Sequence, residues 1–383
     1  TRRREVFALT ATVTLIAALG LQGLRFHHNS LEWLPRDNAV RQATEAVDAQ
    51  MQGTINLEAV IDTERARGVQ EDRLIAALDR IETRLPVLAA EEGIAIGKVF
   101  GVSDLLREVH QALDPADPAP LPKGGMVARE FLLFENSASN DLPDFVDHHY
   151  ARTRMTIRLP WLEAGDYARL IDRIDAEIAA ELQTLASPGE VPPTVVLTGN
   201  MALLAQTSVN VIGAMAQGYL ISVVVIAGLM VLTMGGWRIG LAAMLPNLVP
   251  VVITLGVMGH LGVPLDSFTM LIGTIALGII VDDTIHFFHQ LRRATEEGHA
   301  PMAALDHAVG HSFLPILATS VAVMAGFSAY ALSSMSNVIA FGLLTALVSA
   351  LGLLADAVLS PAIHAALSAR AKDAPAAAEP APV

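Results

Sequence analysis

Six apolar stretches, near 6–24, 211–234, 239–260, 267–288, 313–333 and 338–366, dominate this 383-residue chain. Each is long enough to cross a hydrocarbon layer of about 30 Å, which takes about 20 helical residues. Gly, Pro and polar residues interrupt several of them, and membrane helices tolerate these when neighbouring helices re-satisfy the backbone. The pattern predicts one helix, a long gap, and then five helices close together. A mean hydropathy of +0.47, with 52% apolar and 17% charged residues, fits a membrane protein. The first stretch follows Arg2, Arg3 and Arg4 and is too long for a signal peptide, so it reads as an anchor.

The chain has no cysteine, which excludes a disulfide scaffold, a thiolate metal site and a cysteine nucleophile. Its formal charge of −14 argues against a nucleic-acid partner. Basic residues set the orientation. With the amino end cytoplasmic, the short cytoplasmic segments carry 8 Lys and Arg, and the opposite loops, 261–266 and 334–337, carry none. The segment 25–210, with 17 basic and 29 acidic residues, then faces outward.

That segment predicts a soluble α+β domain of ordinary size. Strands are expected near 54–62, 94–100, 151–159 and 194–198, with helices over 70–85 and 163–185. Two strand–helix–strand units suggest a split, ferredoxin-like βαβ layer. A helical insert is expected between them at 103–113 and 126–136, interrupted by the Pro-rich loop 114–125. The domain plan is a first helix over 1–24, an outward domain over 25–210, a five-helix bundle over 211–367 and a disordered cytoplasmic tail over 368–383. The start at Thr1 and the Ala/Pro-rich end suggest the carboxy-terminal part of a longer polypeptide.

Chemistry concentrates in the fourth apolar stretch, FTMLIGTIALGIIVDDTIHFFHQLRR. An ionised Asp at a membrane centre costs about 2.5 to 3.5 kcal/mol on the insertion scale, and Asp282 and Asp283 incur that cost side by side. Carboxyls placed so can exchange protons near neutral pH, as a proton carrier requires. His286 lies four residues after Asp282 and three after Asp283, on the same helix face. Thr274, Gly278, Asp282 and His286 form one stripe, on which Gly278 allows a neighbouring helix to approach closely. Asp282 lies roughly 21 Å along the helix from Phe268 at about 1.5 Å per residue, so a wet position near the helix end is the alternative. Asp356, in the last stretch, is either a partner across the bundle or a satisfied polar glue residue, and glue is favoured since nothing local pairs with it.

Pro246 and Pro250 bracket Asn247 in the third stretch and predict a kink or hinge. Thr319, Ser320 and Gly326 in the fifth suit close packing or a solvated proton path. Asp282, His286 and His289 form at most a metal half-site, because His289 is rotated roughly 60° from His286. His307 and His311 read as interfacial, and no metal or cofactor is expected. No phosphate loop, dinucleotide fingerprint or hydrolase motif occurs, so any pumping draws on an ion gradient or an outside source.

One helix, a large domain and five clustered helices, with Pro-Asn-x-x-Pro in the third, Gly-x-x-x-Asp before Asp-Thr-Ile-His-Phe in the fourth and Ala-Thr-Ser in the fifth, resemble the resistance-nodulation-division (RND) superfamily. GIIVDDTIHFFHQLRR at 278–293 looks most like its MMPL-type branch of lipid and hopanoid exporters. The resemblance implies proton-driven transport, not enzymatic turnover, of hydrophobic substrates in a bacterial inner membrane, with the large domain in the periplasm. It places the relay at Asp282, Asp283, His286, Thr319 and Ser320, with Gly278, Pro246, Asn247 and Pro250 serving packing or hinge roles. Asp283 stands where Tyr is frequent in the family, and Ala322 and Val323 replace the usual Leu-Thr-Thr continuation. Implied partners are a lipid or other hydrophobic substrate, protons, a second six-helix half or a second copy, and periplasmic lipid-binding proteins. Two rival expectations are a sterol-sensing-like lipid-binding module that does not pump and an intramembrane metallohydrolase.

Overall fold

The computed structural model describes residues 3–51, 53–115, 121–136, 141–186, 189–234 and 236–373. It divides into two units, Asn29–Glu32 with Arg36–Asn210, and Thr1–His28 with Trp33–Pro35 and Val211–Val383.

The first helix, α1, spans Arg3–Gly20. In the middle unit, α2 (Ala39–Met51) precedes β1 (Ile55–Asp62), α3 (Asp72–Glu91), β2 (Val99–Phe100), α4 (Val102–Leu113), α5 (Gly125–Glu135), β3 (Arg152–Leu159), α6 (Ala164–Gln183) and β4 (Thr194–Thr198). The strands form one antiparallel sheet in the order β2-β3-β1-β4, so two strand–helix–strand units interleave. Ile55 pairs with Leu159 and Asp62 with Arg152 at the two ends of the central ladder. Alternation along β1 sends Leu57, Ala59 and Ile61 to one face, where they meet Met155, Ile157 and Leu159 of β3. Leu74, Leu78, Ile81 and Leu85 of α3 and Leu170, Ile174 and Ile178 of α6 recur at helical spacing and close that core.

The expected strand at 94–100 contracts to Val99 and Phe100, and α2 is an addition to the expected elements. The expected helices of the insert are present as α4 and α5, joined by the buried contact of His110 Nδ1 with Glu130 Oε1 at 2.7 Å. Residues 116–120 of the Pro-rich loop lie outside the described residues.

Glu82, on the buried face of α3, accepts a hydrogen bond from Ser103 of α4. Burial pushes its carboxyl up from 4.5 to about 7. The native unit therefore holds a proton that the unfolded chain has lost between these values. The associated stability is complete below the unfolded value and is lost as the pH rises through the folded one. Melting of the full chain should show the middle unit weaker at about pH 8 than at about pH 5, by on the order of 2 to 3 kcal/mol. Glu82→Gln should flatten that dependence.

In the other unit, α7 (Asn200–Met234) from Val211 onward, α8 (Trp237–Ala242) with α9 (Leu245–Leu261), α10 (Ser267–Glu296), α11 (Pro301–Ser328) and α12 (Ser336–Asp373) follow α1. Six helical segments are long and apolar enough to span a membrane: Arg4–Gly23, Asn200–Met234, Trp237–Leu261, Ser267–Glu296, Pro301–Leu332 and Ser336–Ala366. Three of them run at least two turns beyond the expected stretches, because Gln206, Asn210, Arg292, Asp306 and His307 lower hydropathy without breaking a helix. Helix α12 also continues to Asp373, where a disordered tail was expected from 368, and residues 374–383 lie outside the described residues. Helix α1 crosses α9 where Gly20, Gly256 and Gly259 remove side chains from both surfaces: a Cβ on Gly256 would collide with the Ala17 carbonyl, and one on Gly259 with the Gly20 carbonyl.

Candidate functional site

Helix α10 packs against α9, α11 and α12 and is the most enclosed of the six spans, with 56% of its apolar window buried against 6% for α7 and 17% for α11. A capping box fixes its start. Asp266 accepts from the backbone N–H groups of Phe268 and Thr269, at 2.9 and 2.7 Å, and the Thr269 hydroxyl accepts from the Asp266 N–H. The periodicity of α10 then turns the adjacent aspartates to different environments.

Asp283 is 7% exposed and faces α11. Ser320 donates to its Oδ2 at 3.3 Å, and the Thr319 hydroxyl stands 3.5 Å from its Oδ1, at the limit of a hydrogen bond. Thr319 and Ser320 thus gather around Asp283, not Asp282. Asp282 and His286 sit one turn apart on the opposite surface, with side chains 74% and 70% exposed and 3.7 Å between Oδ1 and Nε2. Thr274 and Gly278 continue that exposed stripe, and a Cβ on Gly278 would meet open space. The described residues leave this face uncovered.

Thr284, next to Asp283, opens a second polar centre. Its fully buried hydroxyl lies 2.8 Å from Asp356 Oδ1 on α12 and 3.0 Å from Asn247 Oδ1 on α9. One proton cannot serve both acceptors fully, so the hydroxyl chooses between a carboxylate and an amide. Ser360, one turn after Asp356, donates to the same carboxylate oxygen at 3.0 Å. The Asp356 Oδ2 is buried without a hydrogen-bond partner among the described residues. Asp356 lines a cavity of about 170 Å³ whose other walls include Phe287, Phe313, Ile316 and Leu353.

Asp356 does join two helices, as polar glue would, but the expectation that nothing local pairs with it is corrected by Ser360. Its partners are on α10 and on the next turn of α12, and α10 supplies its link to α9. The signal available in sequence was the Asp356/Ser360 spacing within an apolar run. The bridging hydroxyl of Thr284 comes from 72 positions away.

The paired prolines also take a more specific form. A turn at Ala243 and Met244 separates α8 from α9, which places Pro246 in the first turn of α9, where a missing N–H is tolerated. Asn247, completely buried, donates from Nδ2 to the Ala243 carbonyl at 2.8 Å and satisfies an acceptor at that break. The same side chain offers its oxygen to Thr284. Pro250 lies inside α9, and Gly326 in α11 faces open space.

Among the described residues, no three His, Asp or Glu side chains converge as a metal site. His289 lies on the exposed surface of α10, away from the buried carboxylates. His307 and His311 stack with ring centroids 4.0 Å apart near the start of α11.

The arrangement can shift hydrogen bonds among three helices through one rotating hydroxyl, and it presents a separate carboxylate–imidazole pair on the outside. Comparison with known proteins places it in context. The sequence model of the MMPL family matches residues 140–380, which include the whole of both polar centres. A candidate membrane protein of Methanocaldococcus jannaschii is 22% identical over 349 residues, an alignment covering 88% of this chain and 83% of that relative.

Proposed function

The chain belongs to the MMPL family, a family of RND-type membrane transporters, and from that premise we propose that it is a transporter unit driven by the proton-motive force, with α10 as its coupling element. The observation that carries this reading is the placement of carboxylates on two sides of one helix: Asp283 and, through Thr284, Asp356 on the packed side, with Asp282 and His286 on the open side. Protonating Asp283 or Asp282 removes a charge from an apolar setting and changes which partners its oxygens can hold, so each protonation state favours a different seating of α10 against α9, α11 and α12. Asn247, beside the helix break and Pro250, couples that seating to α9.

In this reading the middle unit is a ferredoxin-like porter domain, a label its interleaved sheet order supports, and it lies in the periplasm of a bacterial inner-membrane protein. The substrate is a hydrophobic, lipid-like molecule such as a hopanoid or sterol. The exposed stripe of Thr274, Gly278, Asp282 and His286 is unsuited to lipid tails, because a charged side chain there costs about 2.5 to 3.5 kcal/mol. A second six-helix half or a second copy covers it, with Gly278 permitting close approach.

Reconstitution of the assembled transporter in liposomes tests the reading through export of a fluorescent lipid with and without a pH gradient. One proton crossing about 100 mV supplies about 2.3 kcal/mol, which biases a conformational equilibrium roughly fifty-fold. Export should therefore rise steeply with the gradient and collapse with a protonophore. Lipid binding with no gradient-dependent export would replace this reading with that of a binding module.

A further inference from the structure

Among the described residues, three non-glycine positions adopt left-handed backbone: Glu64, Arg67 and Tyr150, at φ 54°, 63° and 51°. All three belong to two loops of the middle unit that are laced together. The Arg67 N–H donates to the His149 carbonyl at 2.9 Å, the Val69 N–H to the Tyr150 carbonyl at 2.9 Å, and the Thr63 N–H to the Ala151 carbonyl at 2.9 Å. Such conformations cost on the order of 1 to 3 kcal/mol each and concentrate where a ligand is clamped.

These loops and α5 enclose an open pocket of about 470 Å³. Arg67, Gln70, His148 and His149 line one side, and their side chains make no hydrogen bond to any described residue. Most arginines of the same unit are paired, as in Arg65 with Glu71, Arg80 with Glu181, Arg107 with Asp79 and Arg152 with Asp62. The Arg67 guanidinium, without an ion pair among the described residues, stands beside two imidazoles, of which His149 also interacts with the Asp147 carboxylate. The Tyr150 hydroxyl is held by Glu135 Oε2 at 3.1 Å and is pushed up to about 12 by burial, with that carboxylate adding to the effect, so it remains a neutral donor. The remaining lining is Ala66, Ala128 and the exposed Leu132, with the Glu135 carboxylate beside them.

We infer that this pocket binds the phosphate headgroup of an acidic amphiphile. Arg67 takes the phosphate oxygens in a forked contact, His148, His149 and Gln70 complete the donor set, and Leu132 supports the first part of the acyl region. Glu135, an acceptor on the rim, suits a headgroup that carries hydroxyls beside its phosphate. The inference rests on the transport reading only in taking the bound amphiphile as cargo, since the site itself is built entirely within the middle unit.

The test is equilibrium binding to the purified full chain in detergent, without any gradient, so that its failure is separate from failure of proton coupling. The probe is fluorescent dioleoyl phosphatidic acid, with the phosphatidylcholine analogue as reference and glycerol 3-phosphate as soluble competitor. Phosphatidic acid should bind at least about tenfold more tightly than phosphatidylcholine, and Arg67→Gln should lose about tenfold of that affinity. The Arg67→Gln/His148→Gln/His149→Gln variant should lose the preference altogether, and the exposed-surface control Arg169→Gln should keep it. Displacement by glycerol 3-phosphate would identify a free phosphate monoester as sufficient ligand, and resistance to it would identify the lipid. Equal binding of the two lipids, or wild-type binding by the triple variant, would overturn the inference.

Discussion

Asp282→Asn and Asp283→Asn are each expected to reduce gradient-driven export to the level of empty liposomes, a loss of at least about a hundredfold, while the protein still folds. Asn preserves the volume of Asp and keeps one acceptor oxygen, with an NH2 donor in place of the other, but it carries no exchangeable charge. At Asp283, Ser320 can still donate to the replacement, so the packed side of α10 loses titration and keeps its geometry. At Asp282, the side chain is three-quarters exposed and its contact with His286 is long, so little packing depends on it. Melting temperatures within a few degrees of wild type separate lost coupling from lost fold, since a change of about 1 kcal/mol shifts a domain of ordinary size by only a few degrees. Export by either variant at the wild-type level would remove that carboxylate from the coupling path.

The second large effect is structural. Gly256→Val is expected to separate α1 from α9 and to destabilise the helical unit by about 3 kcal/mol, the upper end of the usual cost of overpacking. The added Cβ would meet the Ala17 carbonyl carbon and oxygen, which are backbone atoms that cannot rotate away. The same surface holds Gly20 against Gly256 and Gly259, and His260 Nε2 lies 3.0 Å from the Ile16 carbonyl, so the loss propagates along the crossing. Gly213→Val on α7, where nothing lies within 4 Å, is the matched control and should be nearly silent. Thermal unfolding of the two variants in the same detergent provides the comparison.

The membrane helices were legible because a long apolar run has few alternative readings, and the aspartates of α10 because charge in such a run is costly. The break between α8 and α9 was less legible: paired prolines signal a kink but not which carbonyl the intervening Asn247 will satisfy. Adjacent aspartates also look equivalent in sequence, yet a rotation of about 100° per residue sends Asp283 into the bundle and Asp282 to its surface. Asp356 was under-read for a different reason. Its partners Thr284 and Asn247 are distant in sequence, and only the packing of α9, α10 and α12 brings them together. In the middle unit, long alternating strands were visible, but α2 stands outside the core and none of its residues is buried. The Arg67 pocket left no local motif, since its loops meet through backbone hydrogen bonds between segments some eighty residues apart.

Substrate-dependent proton movement separates a proton-coupled exporter from a passive lipid carrier. Liposomes containing the assembled transporter and a pH-sensitive dye would receive an imposed gradient, with lipid substrate added afterwards. Substrate should accelerate proton flux in the wild type, and flux and export should disappear together in Asp282→Asn and Asp283→Asn. Lipid export proceeding at full rate with no accompanying proton flux, or after the gradient has been collapsed, would contradict proton coupling.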